Sequence, residues 1–526
     1  MADFGFVGAS YTAPSIYQDD QECINFFAEL DPTKQPGDRG IVALYPTPGL
    51  TKKIQLPKTE VRGMRALSGG QYLIVVCSEK VYKVDTSYVY TEIGTLVTNS
   101  GYVSISDNVT QDDGLTAYIV DGPCRYTWVA ATNKFLQLPL GDGAWSGATV
   151  VAVVDNYNIY NQPGTQNWGC TDLGSSLSTE GLYGVKDAYP DNLVTLIVDR
   201  RQVYLLGETT TEVWTDVGNV ITGILTFPFQ RVPGTSVQCG IAAPASVARL
   251  ADSFAFVAQD TRGTATIRAM SGYQVKRIST HAVEQSLLGE TVSNAVAYTY
   301  QLEGHEMYVV TFPSIGNGLT WVYDASTQVW HKWLSWSNGQ YYRHRSNCGA
   351  FFNGKYLVGD YANGKIYSIE NAVYTEDGST IRRLRRAVHL VNDFQRTYFD
   401  EMQVQFQPGV GVYTALYDNY LSVSDPFIIT AAQIYTIAAN NIVYIGTAPT
   451  IPRTVDPQAM LRWSNDGGST WSSEHWVSVG QQGKYKNRAI WRRLGMARDR
   501  IFEVAVSDAV KFVVVSANLK ASVGEN

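Results

Sequence analysis

The chain has 526 residues, 45% of them hydrophobic and 12% aromatic, and a formal net charge of −7. It is too long for one ordinary core and too apolar for a disordered chain, so two or more folded domains are expected. The acidic balance argues against a protein that grips duplex DNA by its phosphates, since that requires a basic excess.

The first residues, Met1 to Phe6, carry neither a basic start nor an apolar run, and no signal peptide is read there. No stretch approaches the ~20 apolar residues of a membrane helix. The expectation is a soluble protein made in the cytoplasm, without stable membrane insertion. Residues 1–58 read as an extended lead-in, punctuated by proline and glycine up to Tyr45-Pro46-Thr47-Pro48-Gly49-Leu50. Such a segment borrows its stability from elsewhere, here by packing on the C-terminal domain.

From 59 to 378 a repeating texture follows. Units open near 62, 101, 148, 192, 244, 291 and 343, at intervals of 39 to 52 residues. A four-stranded propeller blade takes roughly 40–50 residues, so the period fits an all-β propeller. Apolar runs such as Tyr72 to Val76 and Leu193 to Val198 suit strands covered on both faces. Two hairpin signatures, Leu205 to Trp214 and Trp321 to Trp330, each join β-prone residues across a polar turn. Seven blades are counted, or six if the weakly marked unit near 148 is an insertion.

Beyond 379 the texture changes to alternating strands, among them Val388 to Val391, Met402 to Phe406, Ile442 to Ile445, Ile501 to Val506 and Lys511 to Val515. Residues 379–526 therefore read as an antiparallel β-sandwich completed by the N-terminal segment, with an excursion near 413–458.

Motifs for chemistry are missing from this sequence. His305-Glu306 would need a histidine at 309 for a zinc protease, and that position is Val309. Cys23, Cys77, Cys124, Cys170, Cys239 and Cys348 are too widely spaced for a zinc site and read as small buried hydrophobes in a reducing compartment. No nucleophile elbow, phosphate loop or dinucleotide fingerprint is present. The reading is a protein that is not an enzyme and takes no metal or cofactor.

Ser464-Asn465-Asp466-Gly467-Gly468-Ser469-Thr470-Trp471 resembles the Asp-box of sialidases. It reads as a turn stapled by its own side chains, with Asp466 bonding backbone amides, Gly468 allowing a left-handed residue and Trp471 packing beneath. Two basic clusters stand out, Arg382, Arg383, Arg385 and Arg386, and then Lys484, Arg488, Arg492 and Arg493 with Tyr485 and Trp491 interleaved. The first could touch DNA or an acidic partner, but strand alternation points its side chains to both faces and favours an interface or domain-junction role. The second, with its aromatics, is a candidate protein interface, because arginine and aromatic anchors concentrate there.

The run Leu461 to Trp471, followed by Gly483 to Arg500 and Phe502, resembles the C-terminal region of the tail-hub proteins of short-tailed bacteriophages, also called nozzle or packaged-DNA stabilization proteins. The resemblance extends to Asn25-Phe26-Phe27, to Pro46 to Leu50, to Gly240 to Ala248 and to the blade signatures at 205–214 and 321–333. It implies a virion tail component assembled in the host bacterial cytoplasm. Six copies would form a ring below the portal and its adaptor, extending the DNA exit channel, retaining packaged DNA and docking tail fibres or a needle. Genomic DNA would pass without sequence-specific binding, and a modest acidic excess suits such a conduit. The alternative is a propeller-type glycan-binding or sialidase-like protein used in host attachment.

Overall fold

The computed structural model describes residues 2–34, 41–218, 226–259, 265–407, 456–481 and 483–524, with the short strands 413–416, 421–422, 442–443 and 451–454. Seven four-stranded antiparallel units are arranged as a ring. The innermost strands are Val61–Ala66, Ser104–Thr110, Val151–Val154, Leu193–Asp199, Ala248–Leu250, Val296–Leu302 and Ser346–Phe352. Each opens within five residues of the position expected from the sequence repeat. The fifth blade carries an added short strand, Gly240–Ile241, beside its second strand.

The blades form where they do because their middle strands are covered on both faces. Leu73–Cys77 is buried at every position, and so are Arg125–Val129 and Tyr157–Asn161. Rings fill the wedges between blades, as where Trp168 meets Trp214 edge-on at 5.5 Å and Phe227 at 4.9 Å. The loops between blades would leave buried carbonyls bare, and internal arginines satisfy them. Arg62 donates to the carbonyls of Ser78, Thr98, Ser100 and Gly101, and Arg125 to those of Asp142, Trp145 and Ser146.

The seventh blade takes its fourth strand from the other end of the chain. Gly49–Gln55 pairs antiparallel with Lys365–Glu370, placing Leu50 opposite Ile369 and Ile54 opposite Ile366. The expected lead-in of 1–58 is thus divided. Its residues up to Pro46 build onto the sandwich, and 49–55 belong to the propeller, because Leu50, Ile54 and Leu56 find their apolar partners there. Gly49 permits the crossing, since a Cβ at that position would stand 2.5 Å from the carbonyl oxygens of Val373 and Thr375.

The C-terminal sandwich has two sheets. One runs Phe26–Leu30, Val42–Pro46, Val514–Val523, Thr397–Phe406, Ala489–Ala497 in spatial order. The other runs Asp20–Ile24, Arg383–Arg386, Asp499–Val506, Gln458–Ser464, His475–Ser478, and joins the sixth blade through one parallel bridge, Ile24 to Lys332. Phe6, Phe26, Leu44, Phe399, Met402, Trp491, Phe502 and Phe512 fill the space between them. The N-terminal segment therefore contributes a strand pair to the first sheet and an edge to the second. Of the excursion expected near 413–458, Tyr413–Leu416 pairs with Ile451–Thr454, and Leu421–Ser422 with Ile442–Val443. Residues 456–458 lead into the strand Gln458–Ser464, and the rest lies outside the described residues.

Cys23, Cys77, Cys170 and Cys239 are buried, Cys124 and Cys348 partly so, and none of the six is joined in a disulfide. Desolvation pushes the thiols of Cys23, Cys77 and Cys348 up to about 12. Among the described residues no helix is long and apolar enough to cross a membrane.

Candidate assembly interface

The two basic clusters have opposite fates. Arg383–Arg386 is an interior strand of the second sheet, flanked by Asp20–Ile24 and Asp499–Val506, and the side chains of Arg382, Arg383, Arg385 and Arg386 are all buried or nearly so. Of the two roles expected for 382–386, intermolecular contact and domain junction, burial leaves little surface for the first, and the guanidiniums of Arg382, Arg385 and Arg386 bond within the chain. Arg385 donates to the carbonyls of Phe6 (2.6 Å), Ala9 (2.8 Å) and Glu22 (3.3 Å) and to Gln21 Oε1 (2.6 Å). Arg386 bonds Asp20 at 2.5 Å and Glu503 at 3.0 Å, and Arg462 shares Glu503 at 2.5 Å. Arg382 pairs with Glu474 at 2.7 Å. Strand alternation sends the side chains to both faces, but both faces are interior because the N-terminal segment and the propeller cover them.

The Asp-box turn is part of the same network. Asp466 accepts from the Thr470 amide (2.8 Å) and hydroxyl (2.6 Å) and from Ser464 Oγ (2.7 Å). These bonds draw its carboxyl down to about 2. Gly468 sits at φ +98°, and Trp471 Nε1 donates to its carbonyl at 3.0 Å. The guanidiniums of Arg386 (4.7 Å) and Arg462 (4.8 Å) both lie over the Trp471 ring. The turn therefore docks the lead-in, with Tyr17 against Gly467 and Asp20 against Gly468.

The second cluster faces solvent. Lys484, Lys486, Arg488, Arg492 and Arg493 are exposed, beside Tyr485 at 71% and Trp476 at 60% exposure. Trp491, expected as an interface anchor, is buried instead and donates from Nε1 to the His475 carbonyl. A bulge explains why two consecutive arginines point outward. The register between Thr397–Phe406 and Ala489–Ala497 slips between Phe399/Gly495 and Glu401/Arg492, and Arg493 takes φ +58°. Glu401, Arg492 and Lys520 then form one row across three strands, with Arg492 Nε on Glu401 at 2.8 Å. Arg396, Arg498 and Lys520 are also exposed, and Lys520 lines one cleft with Arg492 and Arg493 beside Asp400 and Glu401. Sequence reasoning missed them because they lie on three separate segments.

The free edges here are blunted. Arg500, itself buried, donates to the carbonyls of Leu494 and Met496, as Trp491 does to that of His475. This suits a face that meets partners through side chains rather than by adding a strand.

A sialidase-like centre needs three arginines and an acid converging on one pocket. A cleft of about 660 Å³ on the propeller is lined by Asp199, Tyr204, Asp252, Tyr273 and Lys276, with Arg200 as its arginine. Among the described residues, no group of three or more His, Cys, Asp or Glu is placed to hold a metal ion.

The architecture is thus a β-propeller joined to a β-sandwich that carries an exposed basic face. Comparison with known proteins gives the family. The family model described as bacteriophage P22 Gp10, beta-propeller, matches residues 20–374, and that described as bacteriophage P22 Gp10, beta-sandwich, matches 431–522. The chain belongs to this family, the tail hub proteins of short-tailed phages, and is a phage tail structural protein. It is 26% identical over 308 residues to the tail hub protein gp10 of Salmonella phage P22, covering 56% of this chain and 61% of that protein. The chain thus spans somewhat under two thirds of that relative's length. Among solved structures, the N-terminal domain of Nup159 is similar at a TM-score of 0.36 and 10% identity, over 65% of this chain and 98% of that one. The Cps50 (Swd1) beta-propeller domain of Myceliophteria thermophila is similar at 0.39 and 8%, over 61% and 99%.

Proposed function

We propose that this chain is a subunit of a ring of six copies that forms the tail hub or nozzle below the portal and adaptor. The ring extends the DNA exit channel, helps to retain packaged DNA, and docks fibres or a needle. It performs no catalysis, and DNA passes without sequence-specific binding. Assembly takes place in the host cytoplasm before the subunit joins the virion tail.

The observation that carries this reading is the exposed face of Lys484, Lys486, Arg488, Arg492 and Arg493 on a chain of net charge −7. A local basic face on an acidic protein suits a heterologous contact, in which one flank meets a different, acidic flank of a neighbour or of the adaptor. Tyr485 and Trp476 supply aromatic anchors within it.

Sedimentation of the purified chain, alone and with portal–adaptor complexes, tests the proposal. A monomer that becomes a ring on the adaptor, seen by electron microscopy at the base of the phage neck, is the expected result. A chain that stays monomeric with the adaptor, and instead turns over glycans, overturns it.

A further inference from the structure

The charge of this chain is divided between two regions. From residue 84 to residue 185 it carries ten acidic side chains and two basic ones, Arg125 and Lys134, and Arg125 is buried. From 456 to 524 the balance reverses, with ten basic side chains against six acidic. The first stretch completes the first blade and builds the second and third, and the other forms much of the sandwich.

The fold sets these regions apart. The sandwich joins the propeller at the sixth blade, through Ile24 and Lys332. In a ring of seven, the second and third blades stand across from the sixth. Within the first sheet of the sandwich, Phe26–Leu30 is bonded to the sixth blade by Glu29 and His305. Ala489–Ala497 is the opposite edge of that sheet among the described strands, four strands on. His475–Ser478 is likewise the edge of the second sheet farthest from the sixth blade. The basic face, with Tyr485 and Trp476, is therefore one pole of the molecule, and the second and third blades are the other.

The acidic pole carries exposed apolar side chains on loops that are fastened together. The Gln111 amide of the second blade donates to the Gly174 carbonyl of the third at 2.8 Å. The Gly143 amide, on the connection between these blades, donates to the Ser178 carbonyl at 3.0 Å, and the Ser178 amide to Asp142 Oδ1 at 2.7 Å. Leu173 and Leu177 on these loops are 54% and 53% exposed, and Leu140 is 83% exposed. Leucines grouped at the surface mark a contact. Asp112, Asp113 and Glu180 stand exposed on the same joined loops. Among the described residues these three carboxylates make no ion pair, and neither do Lys484, Lys486, Arg488 and Arg493 at the basic pole.

We propose that the partner of the basic face is this leucine patch with its acidic border, on a second copy of the chain; the proposal rests on the reading of 484–493 as an assembly face. Tyr485 and Trp476 cover the leucines, and the cations meet Asp112, Asp113 and Glu180. The two surfaces differ and lie at opposite poles, so every copy that joins leaves one surface open. The contact runs head to tail, and it closes into a ring where the rotation per copy allows. Like poles repel, which selects this orientation over a two-fold dimer.

Rings assembled on portal–adaptor complexes from equal parts of 15N-labelled and unlabelled chain test the contact. A carbodiimide joins a lysine amine to a carboxylate only where the two touch. Peptides linking Lys484 or Lys486 to Asp112, Asp113 or Glu180, with labelled and unlabelled chains joined to one another, are expected. Links from these lysines to the adaptor alone, to other carboxylates of the chain, or to nothing overturn the proposal and leave the basic face as an assembly surface. Exchange of charge gives a second test. Asp112→Lys with Asp113→Lys and Glu180→Lys should lower the yield of rings by about tenfold or more, as should Lys484→Glu with Arg488→Glu and Arg493→Glu, and all six changes in one chain should restore it. If the acidic-pole variant assembles like the wild type while the basic-pole variant does not, or if a folded chain with all six changes stays unassembled, the leucine patch is not the partner. If the basic-pole variant assembles normally, the reading of 484–493 itself falls.

Discussion

Arg385 donates from Nε to the carbonyl oxygen of Phe6 at 2.6 Å, across 379 residues of chain. Three further acceptors, the carbonyls of Ala9 and Glu22 and the Gln21 side chain, complete the shell of that guanidinium. The lead-in is therefore fastened by one side chain of the sandwich. Arg385→Met should leave several buried acceptors bare and cost about 3 kcal/mol or more. Limited proteolysis within residues 4–24 is the readout, and a cleavage rate equal to that of the wild type would count against this account.

His305 makes a second tie between the lead-in and the propeller. Its Nε2 bonds Glu29 at 2.6 Å and its Nδ1 bonds Asp324 at 2.7 Å. Hydrogen bonding to Asp324, then to Glu29, raises its pKa to about 9 against the cost of burial. Because the folded value lies above the unfolded one, the stabilisation is complete below pH ~6.5 and is lost as pH rises through about 9. The loss should be on the order of 3 kcal/mol. Urea melts from pH 6 to 10 should show it in the wild type and a flatter profile in His305→Asn.

The strand Gly49–Gln55 closes the propeller, and Ile54 within it is 4% exposed. Ile54→Ala should cost about 2–5 kcal/mol through the cavity it leaves. Gly49→Val should do further harm, because its Cβ would meet two carbonyl oxygens at 2.5 Å. Hydrogen exchange should localise both effects to Lys365–Glu370 and spare the third blade; exchange that rises evenly over all blades would contradict this.

In the Asp-box turn, the carboxylate of Asp466 is drawn to about 2 chiefly by its bonds to Thr470 and Ser464. A depressed folded value means that its support is present above the ordinary carboxylate pKa and lost as pH falls through about 2. Asp466→Asn should therefore speed amide exchange at Thr470 and Tyr17 contacts should loosen, as fluorescence of Trp471 can report. An unchanged exchange rate at Thr470 would show the turn to be held by other means.

Charge reversal separates assembly from folding. Lys484→Glu with Arg488→Glu and Arg493→Glu changes exposed side chains only, so the chain's own stability should move by no more than about 0.5 kcal/mol per site. Association with neighbours or the adaptor should fall sharply, and in the wild type it should weaken with added salt. Normal assembly of the triple variant would remove this face from consideration.

The propeller was legible because its signals are local. A strand buried on both faces writes a continuous apolar run, as Leu73–Cys77 does, and the polar turns between runs set the period. The Asp466 turn was legible for the same reason, all its bonds lying within residues 464–471. The burial of the arginines at 382–386 was not legible because burial is not local. What covers them includes Asp20–Ile24, a strand that no nearby residue announces. Thr51-Lys52-Lys53 likewise hid a propeller strand, since the apolar partners of Leu50 and Ile54 lie more than three hundred residues away. The outward turn of Arg493 depends on a bulge, which strict strand alternation does not foresee.

The pairing of Gly49–Gln55 with Lys365–Glu370 sets a timetable for biosynthesis. The earlier strand leaves the ribosome first and has to wait while the six complete blades between them are translated, roughly 15–60 s at bacterial elongation speeds. Throughout that interval it is an unpaired, half-apolar ribbon on a nascent chain, the moment at which a chaperone, or a misplaced neighbour on the same polysome, has its best opportunity to seize it.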